Sequence, residues 1–401
     1  MEFVSQHPIL VVSVVKIVVL LFVTLTTLAY LTWFERKVIA HIQSRLGPFY
    51  TGPHGLLQPL ADGLKFMFKE DLTRPGSDRF VYILAPILSF SLAITALALI
   101  PFGPGTIRIF GQETSLAIAP VNLGLLFLFA VTSVEVYGVA LAGWSSNSKY
   151  SLLGGLRSSA QMISYEVALT LSVVGVLLMA GSFDFNSIIG SQSGRWLGFV
   201  PRWNVFPQIV GFLCYFTAAI AETNRAPFDL AEAESELVAG FHTEYSSFKF
   251  AMFFMAEYAS MIVVSCLAAI LFFGGWLSPL PHSWAWQLYI PSAILVLGGL
   301  GVIVDGLWKL RGVARFVFPV LGLVMIAAGA LCTRPGVIGV VQGPFWFLLK
   351  VFLALFFYVW TRSTLPRFRY DQLMDFGWKL LLPVSLANLV ITAVVVLVVH
   401  P

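Results

Sequence analysis

The sequence predicts an all-α integral membrane protein of about ten transmembrane helices, and three observations predict it. Its 401 residues are 58% hydrophobic and only 11% charged, with a mean hydropathy of +0.87; a soluble domain is about 45–50% apolar and about 25% charged. Apolar stretches recur at close to the roughly 20 residues that a helix needs to cross ~30 Å of hydrocarbon. The basic residues gather on alternate connections, as membrane topology requires. Soluble enzymes and disordered regulators are disfavoured at once, and no nucleic-acid partner is expected.

The expected spans cover residues 9–33, 81–100, 117–142, 160–180, 205–221, 248–276, 284–307, 316–331, 345–360 and 378–399. The first has Lys16 inside it, lacks a basic leader and is too long for a cleaved signal peptide, so it reads as a retained span. The fifth, eighth and ninth are short. With the N-terminus on side one, eighteen of the 24 Lys and Arg fall on side two and four on side one, while Lys16 and Lys350 lie within spans. Side two is therefore expected to be cytoplasmic, with both termini outside, and the basic loops are anchors near anionic lipid. Cys214, Cys266 and Cys332 are scattered in apolar stretches, which fits neither a four-ligand zinc site nor a cluster held by four thiolates. No phosphate loop or glycine fingerprint follows a strand. Any electron-transfer cofactor is expected on a partner.

Three places depart from membrane rules. The connection 32–80 is long and patterned: within 55–71, Leu56, Leu57, Leu60, Leu64, Met67 and Phe68 share one arc at helical spacing, and Gln58, Asp62, Lys65 and Lys69 the other. This reads either as an amphipathic helix at the membrane interface or as a packing helix with one wet face. Ahead of it, Glu35-Arg36-Lys37 reads most simply as an interfacial anchor, and Gly47, Pro48, Gly52, Pro53 and Gly55 mark a turn-rich entry.

The second departure is a set of carboxylates in spans: Glu135 in the third, Glu166 in the fourth and Glu257 in the sixth, with Glu222 closing the fifth. An ionisable group in the bilayer costs a few kcal/mol and is rare without a role. Topology puts all four in the cytoplasmic half, Glu257 somewhat deeper than the others. A carboxyl in low dielectric that lacks a cation exchanges its proton near neutral pH, which suits a relay; hydrogen bonding between helices is the structural alternative. The third is residues 221–250, where Glu222, Asp229, Glu232, Glu234, Glu236 and Glu244 face a single base, Arg225, before Lys249 is reached. Asp229 and Glu232 are spaced as a capping box, Gly240 supplies a helix stop, and Asp229, Glu232 and Glu236 would share one face. Such a segment is either a solvated acidic loop or a funnel that feeds protons to Glu222 and Glu257.

The strings ERK (35–37), RLGPFYTGPHGLLQPLADGLKFMFKED (45–71), VEVYGVALAGWSSNSKYSLLGGLRSSAQMISYE (134–166), AETNRAPFDLAEAESELVAGFHTEYSSFKFAMFFMAEYA (221–259) and FLLKVFLALFFYVWTRSTLPRFRYDQLMDFGWKLLLPVSL (347–386) resemble the quinone-site membrane subunit of respiratory complex I. Its members are called the H subunit in bacteria and subunit 1 in mitochondria. The resemblance implies a quinone tunnel and chamber bordered by Glu35, Arg36, Asp62, Lys65 and Phe228. It also implies an acidic path through Glu135, Glu166, Glu222, Glu257, Asp229, Glu232, Glu234 and Glu236 that couples quinone reduction to proton translocation. By the same resemblance NADH, FMN and the iron–sulfur clusters belong to partners, namely the peripheral-arm subunits, with small membrane subunits alongside in a bacterial inner membrane. The family usually has eight spans. Residues 277–343 add two, so the chain divides into a core of 1–276, an inserted hairpin and two last core helices in 344–401. Asp305 in the hairpin has no assigned role, and the hairpin is expected at the periphery. Two rival readings are a membrane component of a membrane-bound hydrogenase or formate hydrogenlyase and a stand-alone ion-coupled transporter. Pro86, Pro207, Pro291 and Pro319 interrupt spans but show no inverted repeat of the transporter kind.

Overall fold

The computed structural model describes residues 8–399, apart from 105, 110–111, 120, 197, 199, 230–237, 282–283, 309 and 311–313. In chain order its helices are α1 (Pro8–Ile42), α2 (Gln58–Phe68), α3 (Arg79–Leu99), α4 (Gly124–Ser145), α5 (Lys149–Ala180), α6 (Phe185–Ser191), α7 (Ile209–Glu222), α8 (Ser247–Leu271), α9 (Ile290–Trp308), α10 (Ala314–Cys332), α11 (Pro335–Thr364), α12 (Tyr370–Asp375) and α13 (Leu382–Val399). Among the described residues nine helical runs are long and apolar enough to cross a membrane, with α12 and α13 forming one of them through a π-helical turn at Phe376–Leu381. The chain is an all-α integral membrane protein. The few strands among the described residues form two short antiparallel ribbons, Thr106–Ile109 with Gln112–Ser115 and Arg195–Trp196 with Val200–Pro201.

The fifth expected span, 205–221, is the exception in length. α7 has 14 residues, about 21 Å at 1.5 Å per residue. Its lead-in is irregular, and buried backbone outside a helix must find partners within the protein. Here Val205 N donates to Phe272 O (3.0 Å), Asn204 N to Gln192 Oε1 (3.2 Å) and Asn204 Nδ2 to Leu271 O (2.9 Å).

α1 departs in the other direction. It runs 35 residues to Ile42, about 52 Å and well beyond the hydrocarbon, and Glu35 within it turns inward instead of anchoring at the interface. At the centre lies α8, 78% of its apolar window buried, whereas α10 is 11% buried. Small residues let the core helices approach, as between α4 and α5, where a Cβ on Gly143 would lie 2.7 Å from Ser151 O. α9 and α10 do the same with each other: a Cβ on Gly299 would meet Gly322 O at 2.7 Å. Their outer side chains, such as Leu297, Val320 and Leu323, stay exposed as lipid-facing groups would be.

The two basic residues inside spans serve carbonyls. Lys350 Nζ donates to Phe273, Gly275 and Leu277 O at 2.6, 2.8 and 2.6 Å, which fastens the loop that follows α8. Lys16 Nζ donates to Ser115 and Ala117 O at 2.8 and 3.0 Å.

Candidate functional site

The site begins where α1 leaves the apolar zone. Consecutive helical residues point about 100° apart, so Glu35 and Arg36 face different neighbours. Glu35 is 4% exposed; it accepts a hydrogen bond from Tyr258 Oη at 2.8 Å and is paired with Arg362 of α11. The expectation that this stretch is simply an interfacial anchor is thus corrected for Glu35, whose carboxylate is in the protein interior. Arg36 faces outward to Asp62 of α2, NH1 to Oδ2 at 2.8 Å, and Gln58 Nε2 donates to the other Asp62 oxygen at 3.1 Å. Lys65 lies one turn further along α2, its Nζ 4.8 Å from the Phe66 ring centroid.

Arg225, just beyond the end of α7, connects the outer carboxylate to the inner ones. Its NH1 is 3.8 Å from Glu35 Oε1 and its NH2 3.6 Å from Glu257 Oε2, while its guanidinium lies 4.1 Å from the Tyr258 ring centroid. The side chain is 7% exposed. Glu257 is therefore no lone carboxylate: a count of bases within spans misses its partner, which comes from the adjoining loop.

Glu257, Glu222 and Glu135 then line one cavity of about 40 Å³, together with Thr132, Asn224 and Ser260. That is room for water, which needs ~10–15 Å³ by this measure and several polar partners. Ser260 Oγ donates to Glu135 at 2.9 and 3.1 Å. Glu166 lies outside this lining, bonded by Ser133 Oγ from the same helix as Glu135, and Glu222 lies within electrostatic reach of both Glu166 and Glu135. One Glu222 oxygen has no hydrogen-bond partner among the described residues.

The acidic segment is held at its start. Gln161 Nε2 of α5 donates to Ala221 O and Phe228 O, both at 2.8 Å, and Asp229 Oδ2 pairs with Arg367 NH2 at 3.1 Å. Phe228 stacks on Phe368 (5.3 Å between centroids, 15°) and lies 5.8 Å from the Tyr165 ring, in an aromatic cluster apart from the carboxylate cavity. Glu232, Glu234 and Glu236, with the capping box and shared face expected of them, lie outside the described residues.

Residues 15–393 match the family described as NADH dehydrogenase. The first of two H subunits of NADH-quinone oxidoreductase in Solibacter usitatus is 49% identical over 389 residues, 96% of each chain. The second H subunit of the same enzyme in Koribacter versatilis is 49% identical over 399 residues, 96% of this chain and 97% of that one. The H subunit of the Thermomicrobium roseum enzyme is 45% identical over 390 residues, 96% of each. The chain belongs to the NADH-quinone oxidoreductase H-subunit family.

As an H subunit it is a membrane component of the multi-subunit NADH-quinone oxidoreductase, complex I, and its partners include other subunits of that complex. Membership bears out the resemblance drawn from the strings and favours neither the hydrogenase nor the transporter. Against this family background the residues that sequence reasoning misses stand out. Arg225 has a signal, as the one base among six acids. Arg362 and Arg367 look in the sequence like any other topology anchor. Ser133 and Ser260 give none, since a serine hydroxyl in a membrane helix ordinarily bonds its own backbone four residues back, and Tyr258 reads as one more aromatic in an apolar run.

Proposed function

We propose that this H subunit forms the entrance and chamber for the quinone of complex I, and that its buried carboxylates couple quinone reduction to proton translocation. One observation carries the reading. Glu135, Glu222 and Glu257 share a water-sized cavity, and Arg225 ties Glu257 to Glu35, next to Arg36 and Asp62. Electrons reach the quinone from an iron–sulfur cluster of a partner in the peripheral arm, where NADH and FMN are also held; this chain supplies position and charge.

The arrangement works by competition for Arg225. Negative charge arriving with reduction of a quinone near Arg36 attracts the Arg225 guanidinium towards Glu35. Glu257 then loses its cation and takes up a proton, because an uncompensated carboxylate in low dielectric is costly. Neutralising the quinone reverses the shift and returns the proton to the cavity carboxylates. The Asp229 end of the acidic segment, tied to Arg367, responds to the same charge. Moving one proton against 100 mV costs about 2.3 kcal/mol, so the path must be gated and not an open file of water. The basic end is the cytoplasmic one and both termini are periplasmic, in a bacterial inner membrane.

The test is Glu222→Gln and Glu257→Gln in the intact complex in sealed vesicles. Each variant is expected to assemble and to oxidise NADH with a water-soluble acceptor as the parent does, while quinone reduction and protons moved per NADH both fall. Parental proton yield in both variants would remove these glutamates from the path.

A further inference from the structure

We infer that the hairpin α9–α10 positions the quinone entrance, acting through the contact of Asp305 with His54. This rests on the reading of Arg36 and Asp62 as entrance residues.

Asp305 is the one charged residue of α9. It lies in the last turn, where the helix dipole disfavours an anion, and in a membrane-exposed hairpin where a carboxylate is costly and rare without a role. An element needed only to fill space in lipid would carry an apolar residue there. Asp305 Oδ2 instead accepts a hydrogen bond from His54 Nε2 at 2.5 Å, across 251 positions of sequence. Gly306 beside it lets α10 come close, since a Cβ there would lie 2.7 Å from Phe318 Cβ.

His54 is itself held in an uncommon state. Its backbone is left-handed (φ 53°, ψ 19°), between Gly52 at φ 72° and Gly55 at φ 76°, a conformation that a residue with a side chain seldom adopts. Its ring lies between Phe49, edge-on at 6.2 Å, and Phe318 of the hairpin at 6.5 Å.

From this turn hydrogen bonds continue to the entrance. Leu57 N donates to Thr51 O at 3.2 Å and Thr51 Oγ1 to Gln58 Oε1 at 2.8 Å. Gln58 Nε2 donates to Asp62, which receives Arg36. The hairpin thus fixes the turn, the turn fixes the start of α2, and α2 presents Asp62 to Arg36. Asp305 and His54 are positioning residues.

The experiment compares steady-state kinetics of the intact complex in membranes for Asp305→Asn, His54→Asn, the double variant, Asp305→Glu and Arg36→Gln. Asn is chosen at 54 because it tolerates left-handed backbone. The probes are a quinone with a long isoprenoid tail and a water-soluble acceptor that reports assembled enzyme. Asp305→Asn and His54→Asn are each expected to raise KM for the quinone about three- to tenfold, with kcat within about twofold of the parent and soluble-acceptor activity unchanged. The double variant is expected to be no worse than either single one, because both remove one contact, and Asp305→Glu to recover most of the loss. Unchanged KM in both single variants while Arg36→Gln raises it would overturn the positioning role and leave the entrance reading standing. Unchanged KM in Arg36→Gln would overturn the entrance reading and this inference with it. Additive effects in the double variant, or loss of assembled complex with parental KM in what remains, would each overturn the inference.

Discussion

Arg225 decides the electrostatics at the scale of single residues. It lies between two carboxylates, Glu35 at 3.8 Å and Glu257 at 3.6 Å, and is 7% exposed. Removing one partner of a buried ion pair leaves an uncompensated charge and costs about 3–5 kcal/mol. Arg225→Ala is therefore expected to lower the thermal unfolding midpoint of the solubilised complex clearly, and Arg225→Lys by less, because the ammonium keeps the charge but loses the planar fork. Equal midpoints for the parent and Arg225→Ala would show that the two carboxylates do not depend on this cation. Much of this network is legible in the sequence. A carboxylate in an apolar run is conspicuous, and all four glutamates declare themselves that way; so does the oddity of one base among six acids. What cannot be read is who meets whom. Glu35 and Arg362 are 327 positions apart, and nothing in a single chain's pattern connects them. Glu135 and Ser260, 125 apart, are no more legible.

At the scale of elements, length and apolarity are enough to find the spans, and partnering decides their ends. α3 begins where expected because Asp78 caps it, accepting from Phe80 and Val81 N at 3.2 and 3.4 Å. α7, expected to start near residue 205, begins at Ile209, since Asn204 and Val205 find buried partners outside any helix. The amphipathic stretch expected over 55–71 is the helix Gln58–Phe68, its start set by the turn at Pro53–Gly55. The acidic segment depends on an equally local fastening. Gln161 is 1% exposed and its amide nitrogen serves two carbonyls, Ala221 O and Phe228 O. Leaving such carbonyls unpaired costs about 1–3 kcal/mol each. Gln161→Leu is expected to raise hydrogen exchange of the amides in 221–229 by tenfold or more, about 1.4 kcal/mol of local opening, with exchange in α8 unchanged. Exchange at parental rates in 221–229 would show that the segment is held from elsewhere.

For the molecule as a whole, charge placement unites fold and function. The ion pairs Arg74–Glu244, Lys249–Asp71, Arg225–Glu35 and Arg367–Asp229 link connections that the alternation of basic residues assigns to one side. The apolar exterior, with Phe22, Trp308 and Leu397 each about 70–86% exposed, needs lipid or neighbouring subunits to cover it. Within that body the carboxylates form a line from Glu35 through Arg225 and Glu257 to the cavity with Glu222 and Glu135, and the relay proposed for it requires that protons leave and rejoin that line. Infrared difference spectroscopy of the intact complex during NADH-driven quinone reduction measures this most directly, through the carbonyl stretch of protonated carboxyl groups. The expected result is a reversible carboxyl band that moves with carbon-13 labelling of glutamate and shrinks in Glu222→Gln and Glu257→Gln. A spectrum without any glutamate carboxyl change throughout turnover would contradict the relay.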